Sequence, residues 1–241
     1  MNSLYKKNEA LFAVLFIIIY VVGMSIADNL SKSIGLSKSI TTLFCIILTC
    51  IIIIFIRKNK LSKYYGLCKS DLPAKKVLYY FPLFIIGTVN LWFGVQMNFT
   101  PIETFFYILS MLFVGFLEEI IFRGFLFKSI CKNNVKTAIV VSSLTFGFGH
   151  IVNLINGSGA ELMDNFCQVC YAVAIGFLFV TLFHRGKSLW PCIIMHSVFN
   201  SLSAFSNNEM GELYRIPVAI TLIVVSIGYS LFLIKRTPKP Q

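Results

Sequence analysis

Eight apolar runs dominate the sequence, and their length restricts the chain to folds that a lipid bilayer accepts. Each run holds 18 to 24 residues with few or no charges, which is about the length that an α-helix needs to cross a hydrocarbon core of about 30 Å. Inside such a core only helices and closed barrels satisfy their backbone hydrogen bonds, and runs of this length are typical of helices. The sequence therefore predicts an all-α polytopic membrane protein with about eight transmembrane helices. They are expected at residues 10–27, 39–56, 77–95, 104–127, 137–155, 165–183, 188–205 and 216–234.

The composition agrees with this class of protein. Hydrophobic residues make up 57% of the chain, charged residues make up 13%, and the mean hydropathy is +0.80, which exceeds what a soluble domain needs. The net charge of +11 does not indicate nucleic acid, because the basic residues lie between the apolar runs, as topology determinants do. We therefore expect one integral-membrane domain over residues 1–241, with membrane lipids as partners and no nucleic acid.

The basic residues also predict the orientation of the helices. If both termini are cytoplasmic, the inner segments hold 17 Lys and Arg residues and the outer loops hold three, in agreement with the positive-inside bias. We expect a multi-pass protein of the cell membrane in this orientation. The segment Arg57–Lys76 carries seven of the basic residues, which predicts a loop or short helix on an anionic membrane surface. The run 10–27 could instead be a cleaved signal peptide, but its length and the runs that follow favour a retained helix.

The fourth run contains three charged residues, Glu118, Glu119 and Arg123. Each charge at the centre of a membrane helix costs about 2.5–3.5 kcal/mol, so such residues are expected to pair or to serve in chemistry. On an α-helix Glu119 and Arg123 are four residues apart and can form an ion pair, which we interpret as architectural. Glu118 lies about 100° around the helix from Glu119 and has no partner within its own helix. Glu118 is therefore the candidate for chemistry.

Polar residues from three runs are predicted to lie at similar depths. A rise of about 1.5 Å per residue places Glu118 about 14 Å, His150 about 20 Å, His196 about 12 Å and Asn200 about 18 Å from the inner ends of their helices. All four positions are near the middle of the bilayer, and His196 and Asn200 share one helix face. A lone His or Asn in a membrane helix usually bonds to a neighbouring helix, but four such groups at one level indicate a functional cluster. Three other polar residues are expected only to link helices: Asn90, Asn153 and Gln168.

These residues form three ordered motifs over about residues 104–205. They are Glu118-Glu119-x-x-x-Arg123, Phe146-x-x-x-His150 and His196-x-x-x-Asn200. The set resembles the CPBP family of intramembrane proteases, also called the Abi family, which includes the type II CAAX prenyl endopeptidases. The resemblance implies an all-α fold of eight or nearly eight helices and an endopeptidase activity.

The resemblance also implies a role for each residue. Glu118 and His150 would activate water for attack on a peptide carbonyl, and His196 and Asn200 would hold the oxyanion. The residue types fit these roles, because a carboxylate in a low-dielectric site can act as a base near neutral pH. Two donors one helical turn apart also suit a developing oxyanion. The expected partner is a peptide or protein substrate that reaches the bilayer, and the sequence does not indicate whether that substrate is prenylated.

Three alternatives remain open at this stage. Zinc could bind to Glu118, His150 and His196, but the sequence has no His-Glu-x-x-His motif and no Cys in the cluster, so we expect no cofactor. A non-catalytic role in bacteriocin self-immunity or signalling regulation is implied by other members of the family. The intact set of motifs favours an active enzyme instead. A transporter would also bury charges, but the chain shows neither a repeated half nor a pair of broken helices.

Overall fold

The computed structural model describes residues 1–156 and 159–238, without the side chains of residues 208–211. Lys239, one of the basic residues predicted to be cytoplasmic, lies outside this range. The described part is mainly helical and contains ten α-helices, as expected for an all-α membrane protein. They are α1 (Asn2–Lys7), α2 (Glu9–Ser33), α3 (Ser39–Lys58), α4 (Phe81–Thr88), α5 (Pro101–Glu118), α6 (Lys128–Cys131), α7 (Val135–Gly149), α8 (Leu162–Gly186), α9 (Trp190–Leu202) and α10 (Asn208–Arg236).

Irregular helical segments join or extend several of these helices. A π-helix, Glu119–Phe127, links α5 to α6 and makes one continuous rod of residues 101–131. Short 3₁₀ segments cover Ala74–Tyr80, Val89–Leu91, His150–Leu154 and Ser203–Phe205.

Polar side chains fix where the long helices begin. The side chain of Asn8 accepts a hydrogen bond from the backbone N–H of Leu11 at the start of α2. Thr100 and Glu103 form a capping box at the start of α5, with Pro101 in its first turn. Such caps satisfy N–H groups that have no partner within the helix. These two apolar runs, α2 and α5, therefore begin as helices at their capping residues.

Six helical rods in the described part are long and apolar enough to cross a membrane, and they confirm a polytopic fold. The predicted runs 77–95 and 188–205 differ from the other six. The first contains only the eight-residue helix α4 between two 3₁₀ segments, and the second contains α9, which has 13 residues. Both are shorter than the roughly 20 residues that a span requires. These two short helices pack against each other.

The break before α4 has a local cause. Leu78, Tyr79 and Tyr80 have φ angles of 51°, 52° and 61°, a left-handed conformation that bulky residues seldom adopt. Pro82 then lies in the first turn of α4, where its missing N–H is harmless. Pro82 therefore starts a helix instead of interrupting one.

The rod of residues 101–131 occupies the centre of the bundle. It is the most buried of the six long rods and contacts α2, α3, α7 and α9. Close packing against α9 depends on Gly115, because a Cβ atom there would lie 2.3 Å from the Ser197 hydroxyl oxygen and 2.7 Å from the Ser197 backbone nitrogen. The central helix therefore brings its acidic residues directly against α9.

The charged residues separate the two ends of the bundle. One end of the bundle contains the start of α2, the helix α6, and the ends of α3, α8 and α10. We call it the basic end. Contacts tie it together, since Lys132 is 2.7 Å from Glu9 and Arg185 donates to the Thr237 carbonyl at 3.0 Å. At the other end, here the distal end, the backbone N–H of Ser37 donates to Glu103.

Candidate active site

Glu118 is the last residue of α5, and its carboxylate has two different environments. Oε1 accepts a hydrogen bond of 2.6 Å from the Tyr20 hydroxyl of α2, and Oε2 lies 3.4 Å from Nε2 of His196. The side chain is 12% exposed, so it is partly accessible from a cavity. One oxygen is therefore fixed by a hydroxyl while the other faces an imidazole, so the carboxylate is held in position between two helices.

Glu119 makes the ion pair that the sequence predicted and also a second contact. Its Oε1 lies 3.1 Å from Arg123 Nη1 and 2.8 Å from His196 Nδ1, and its side chain has no exposed area. The predicted pair is confirmed, although the segment that carries it is π-helical and not α-helical. Single π-helical turns are frequent at functional sites. Glu119 thus connects the architectural arginine to an imidazole of the predicted cluster.

Phe146 explains the aromatic position of the second motif. The Arg123 guanidinium carbon lies 4.0 Å from the centre of the Phe146 ring and 5.6 Å from the centre of the Phe179 ring. The same Phe146 ring is 5.4 Å from the His150 ring and 5.7 Å from the His196 ring. A cation held against aromatic faces is stabilised where water is absent. Phe146 therefore both covers the buried arginine and packs beside the two histidines.

His150 lies at a change of helix type. The α-helix α7 ends at Gly149, and His150 begins the 3₁₀ segment that ends at Leu154; the predicted continuous α-helix to residue 155 is therefore shorter. The His150 carbonyl accepts a hydrogen bond of 2.7 Å from Asn165 of α8. This bond satisfies one of the carbonyl groups that a helix end leaves without a partner. It also ties the turn that carries His150 to α8.

A cavity of about 360 Å³ connects the predicted residues. Glu118, His150 and Asn200 all line it, and a smaller void of about 40 Å³ touches both His150 and His196 as well as Asn200. The structure thus brings the four candidate residues to one place. Glu118 and His196 approach each other directly, whereas His150 and Asn200 face the shared space.

Sequence reasoning missed Tyr20. A tyrosine in the middle of an apolar run is a usable signal, because a buried hydroxyl normally has a hydrogen-bond partner. Tyr20 is 6% exposed, and its partner is the catalytic candidate itself.

The three amides expected to link helices do so: Asn90 donates to the Phe199 carbonyl at 2.7 Å, and Asn153 donates to Gln168 at 3.1 Å. They line the cavity as well.

The residues present do not form an evident metal site. Across residues 1–156 and 159–238 no three His, Cys, Asp or Glu side chains are arranged to hold one ion. Nδ1 of His196 bonds to Glu119, so Nε2 is the nitrogen of this ring on the side of Glu118.

A family model described as type II CAAX prenyl endopeptidase Rce1-like matches residues 100–202. The match begins at the capping threonine of α5 and ends with α9, so it includes all three motifs. No curated protein matches the chain. The motifs, the helices that carry them and this match agree: over residues 100–202 the chain is similar to the Rce1-like family of type II CAAX prenyl endopeptidases.

Proposed function

We propose that the protein is an intramembrane endopeptidase of the glutamate type, in which Glu118 is the general base. The observation that carries the proposal is the position of the Glu118 carboxylate. Tyr20 holds it at the edge of a membrane-embedded cavity, with Nε2 of His196 at 3.4 Å. A base must lie within hydrogen-bond reach of the water that it activates. Glu118 satisfies this condition because it faces the cavity in which water and a peptide would meet.

In the proposed reaction Glu118 takes a proton from water while the water oxygen forms a bond to the peptide carbonyl carbon. The carbonyl oxygen becomes an oxyanion. The carbon–nitrogen bond then breaks, and Glu118 returns the proton to the leaving amine. His150 lines the same cavity and is proposed to orient the attacking water. General acid–base catalysis of this kind contributes about 10²–10⁴ in rate.

His196 and Asn200 are proposed as the oxyanion donors. A buried carboxylate at Nδ1 fixes the orientation of an imidazole, and Glu119 is 2.8 Å from Nδ1 of His196. Nε2 is then the ring nitrogen proposed to donate to the oxyanion, on the side of the ring that faces Glu118. Asn200 follows one turn later on α9 and lines the cavity. Glu119 is therefore a positioning residue, and Arg123 balances its charge.

The proposed mechanism uses no metal. Turnover should persist after exhaustive chelation, and adding zinc back should not raise it. Loss of activity on chelation with recovery on zinc addition would instead support the zinc-dependent form of the same hydrolysis.

The central test is turnover of a peptide panel by detergent-purified protein, comparing Glu118→Gln with wild type. We expect a loss of about 10²–10⁴ in kcat, while the melting temperature changes little because the Gln amide oxygen can still accept from Tyr20. The matched comparison is Arg123→Ala, which leaves the fully buried Glu119 without its cation. Breaking a buried pair in this way costs about 3–5 kcal/mol, so protein yield and melting temperature should fall.

Two outcomes would contradict this assignment. An active Glu118→Gln, together with a well-folded but inactive Glu119→Gln, would exchange the roles of the two acids. If Glu118→Gln leaves the cellular function of the protein intact, the protein acts as a non-catalytic membrane partner, as in immunity or signalling. The proposed setting is the cell membrane with both termini cytoplasmic, and the proposed substrate is a peptide segment that reaches the bilayer.

A further inference from the structure

The cavity beside Glu118 extends in one direction only. Along α2 its lining runs from Tyr20 to Asp28, and along α9 and the following turn it runs from Phe199 to Ser203. On the segment that follows α7 the lining continues to Asn156. All of these directions lead from the middle of the bundle to the distal end. The cavity mouth is therefore formed where these elements end, with Asp28 and Lys38 paired at 2.9 Å beside it.

On the side of α2, α3 and the π-helix, the basic end below Glu118 is closed by an aromatic cluster. It is formed by side chains from α2, α3, the loop after α3 and the π-helix, with neighbouring ring centres 4.8 to 6.3 Å apart. Each of these side chains is less than 5% exposed. The innermost lining residues of the cavity are Phe122 and Phe146. The members of the cluster are Phe12, Phe16, Phe55, Tyr65 and Phe125.

Charge relates the two ends to the two sides of the membrane. Basic residues concentrate at the closed end, and such residues favour the cytoplasmic side. The mouth carries an Asp28–Lys38 ion pair, with further acidic residues Glu103, Glu161 and Asp164 at the same end of the bundle. The positive-inside rule thus places the basic end in the cytoplasm and the distal end, with the cavity mouth, outside.

From this geometry we infer that the scissile segment of the substrate enters from the extracytoplasmic side, as an extended stretch of peptide. Asp28 lies eight residues beyond Tyr20 on α2, so the mouth is about 12 Å from Glu118. An extended chain covers about 3.3–3.6 Å per residue, so about four residues must pass the mouth before a peptide bond reaches the carboxylate. A chain end or loop exposed outside the membrane meets this requirement.

The polar lining suits an extended peptide. Asn90, Asn153 and Gln168 line the cavity between its mouth and its floor, and each amide offers two donors and an acceptor oxygen. Peptide backbone N–H and C=O groups must be satisfied inside a membrane, and side-chain amides are groups that can bond to both. That a substrate is cleaved here rests on the proposed function, whereas the position of the mouth does not.

The test is thiol labelling from one side of the membrane. Ser25 lines the cavity near its mouth, and Asn133 is exposed at the basic end. Ser25→Cys and Asn133→Cys are each treated with a charged, membrane-impermeant maleimide, in right-side-out and in inverted membrane vesicles. Mass spectrometry then locates the label, so the seven native cysteines stay in place. We expect Ser25→Cys to react in right-side-out vesicles and Asn133→Cys only in inverted vesicles.

Three results would overturn the inference. In the first, Ser25→Cys reacts only in inverted vesicles. In the second, Ser25→Cys reacts in neither preparation. In the third, Asn133→Cys reacts in right-side-out vesicles. Labelling requires no turnover, so this result is read independently of whether Glu118 is a base. A second readout uses the labelled Ser25→Cys protein. It should cleave peptide far more slowly than the same variant without label, whereas equal turnover would show that the substrate does not pass this mouth.

Discussion

The hydroxyl of Tyr20 gives a direct test of how the proposed base is held. It donates to Glu118 at 2.6 Å, and hydrogen bonds to charged groups contribute about 1.5–3 kcal/mol. Tyr20→Phe keeps the ring packing and removes only this bond. We expect kcat to fall about tenfold or more, which corresponds to about 1.4 kcal/mol, with little change in KM. Steady-state kinetics on purified protein measure both constants.

A matched control for Tyr20→Phe lines the same cavity. Tyr107 bonds through its hydroxyl to Ser203 at 2.8 Å and does not touch Glu118. Tyr107→Phe therefore removes a hydroxyl of the same kind without releasing the carboxylate, and its kcat should fall much less than that of Tyr20→Phe. Equal losses in the two variants would show that Tyr20 matters only for the polarity of the cavity.

Asn200 tests the proposed oxyanion donors. Removing one such donor costs about 10²–10³ in turnover, or about 2.7–4 kcal/mol. Because the interaction forms only in the transition state, Asn200→Ala should lower kcat and leave KM nearly unchanged. Asn200→Asp should be as low or lower, since a carboxylate repels the oxyanion. A residue that only links helices behaves differently: its loss would cost about 0.6 kcal/mol of stability with turnover close to wild type. The melting temperature and the two kinetic constants separate these outcomes.

At the scale of helices, the sequence predicted the long rods well and the irregular segments poorly. Hydropathy and length are sufficient for α2, α3, α8 and α10, because a long apolar run has no alternative to a helix in lipid. Hydropathy also predicts a span at residues 77–95, because it does not detect the three residues before α4 that adopt a left-handed backbone conformation.

In the candidate site, too, some contacts could be predicted from the sequence and others could not. The ion pair of Glu119 and Arg123 followed from their spacing, and the grouping of Glu118 with His196 followed from depth and from the family resemblance. The π-helical geometry could not be predicted, since its residues would also suit an α-helix. The bond from Tyr20 to Glu118 joins positions 98 residues apart. Such a contact depends on how α2 packs against α5, which no local pattern specifies.

Gly115 tests whether close helix packing places the site. A Cβ atom at this position would overlap Ser197, the neighbour of His196, including its backbone nitrogen at 2.7 Å. Gly115→Ala should force α5 and α9 apart, with a cost of about 1–3 kcal/mol for overpacking, and lower both melting temperature and kcat. The control is Gly228→Ala on α10, where no neighbouring atom lies within 4 Å of the new methyl group. That variant should keep its activity, with stability unchanged or raised by up to about 1 kcal/mol.

For the molecule as a whole, the site and the charge distribution are arranged along one axis. The aromatic cluster closes the bundle at the end where the basic residues lie, and the cavity opens at the other end. The orientation of the chain in the membrane therefore decides which compartment supplies the substrate. This makes topology a functional property of the protein as well as a structural one.

The orientation can be measured with reporter fusions. Fusions after Lys60 and Lys132, which lie at the basic end, should report a cytoplasmic position, and fusions after Asn156 and Asn208 should report an external one. The short helices α4 and α9 make the measurement informative, because a short segment that does not cross the membrane would exchange the predicted sides of everything that follows it. An external signal at Lys60 would contradict the eight-segment topology. A cytoplasmic signal at Asn156 would place the cavity mouth in the cytoplasm, because that residue lines the cavity itself.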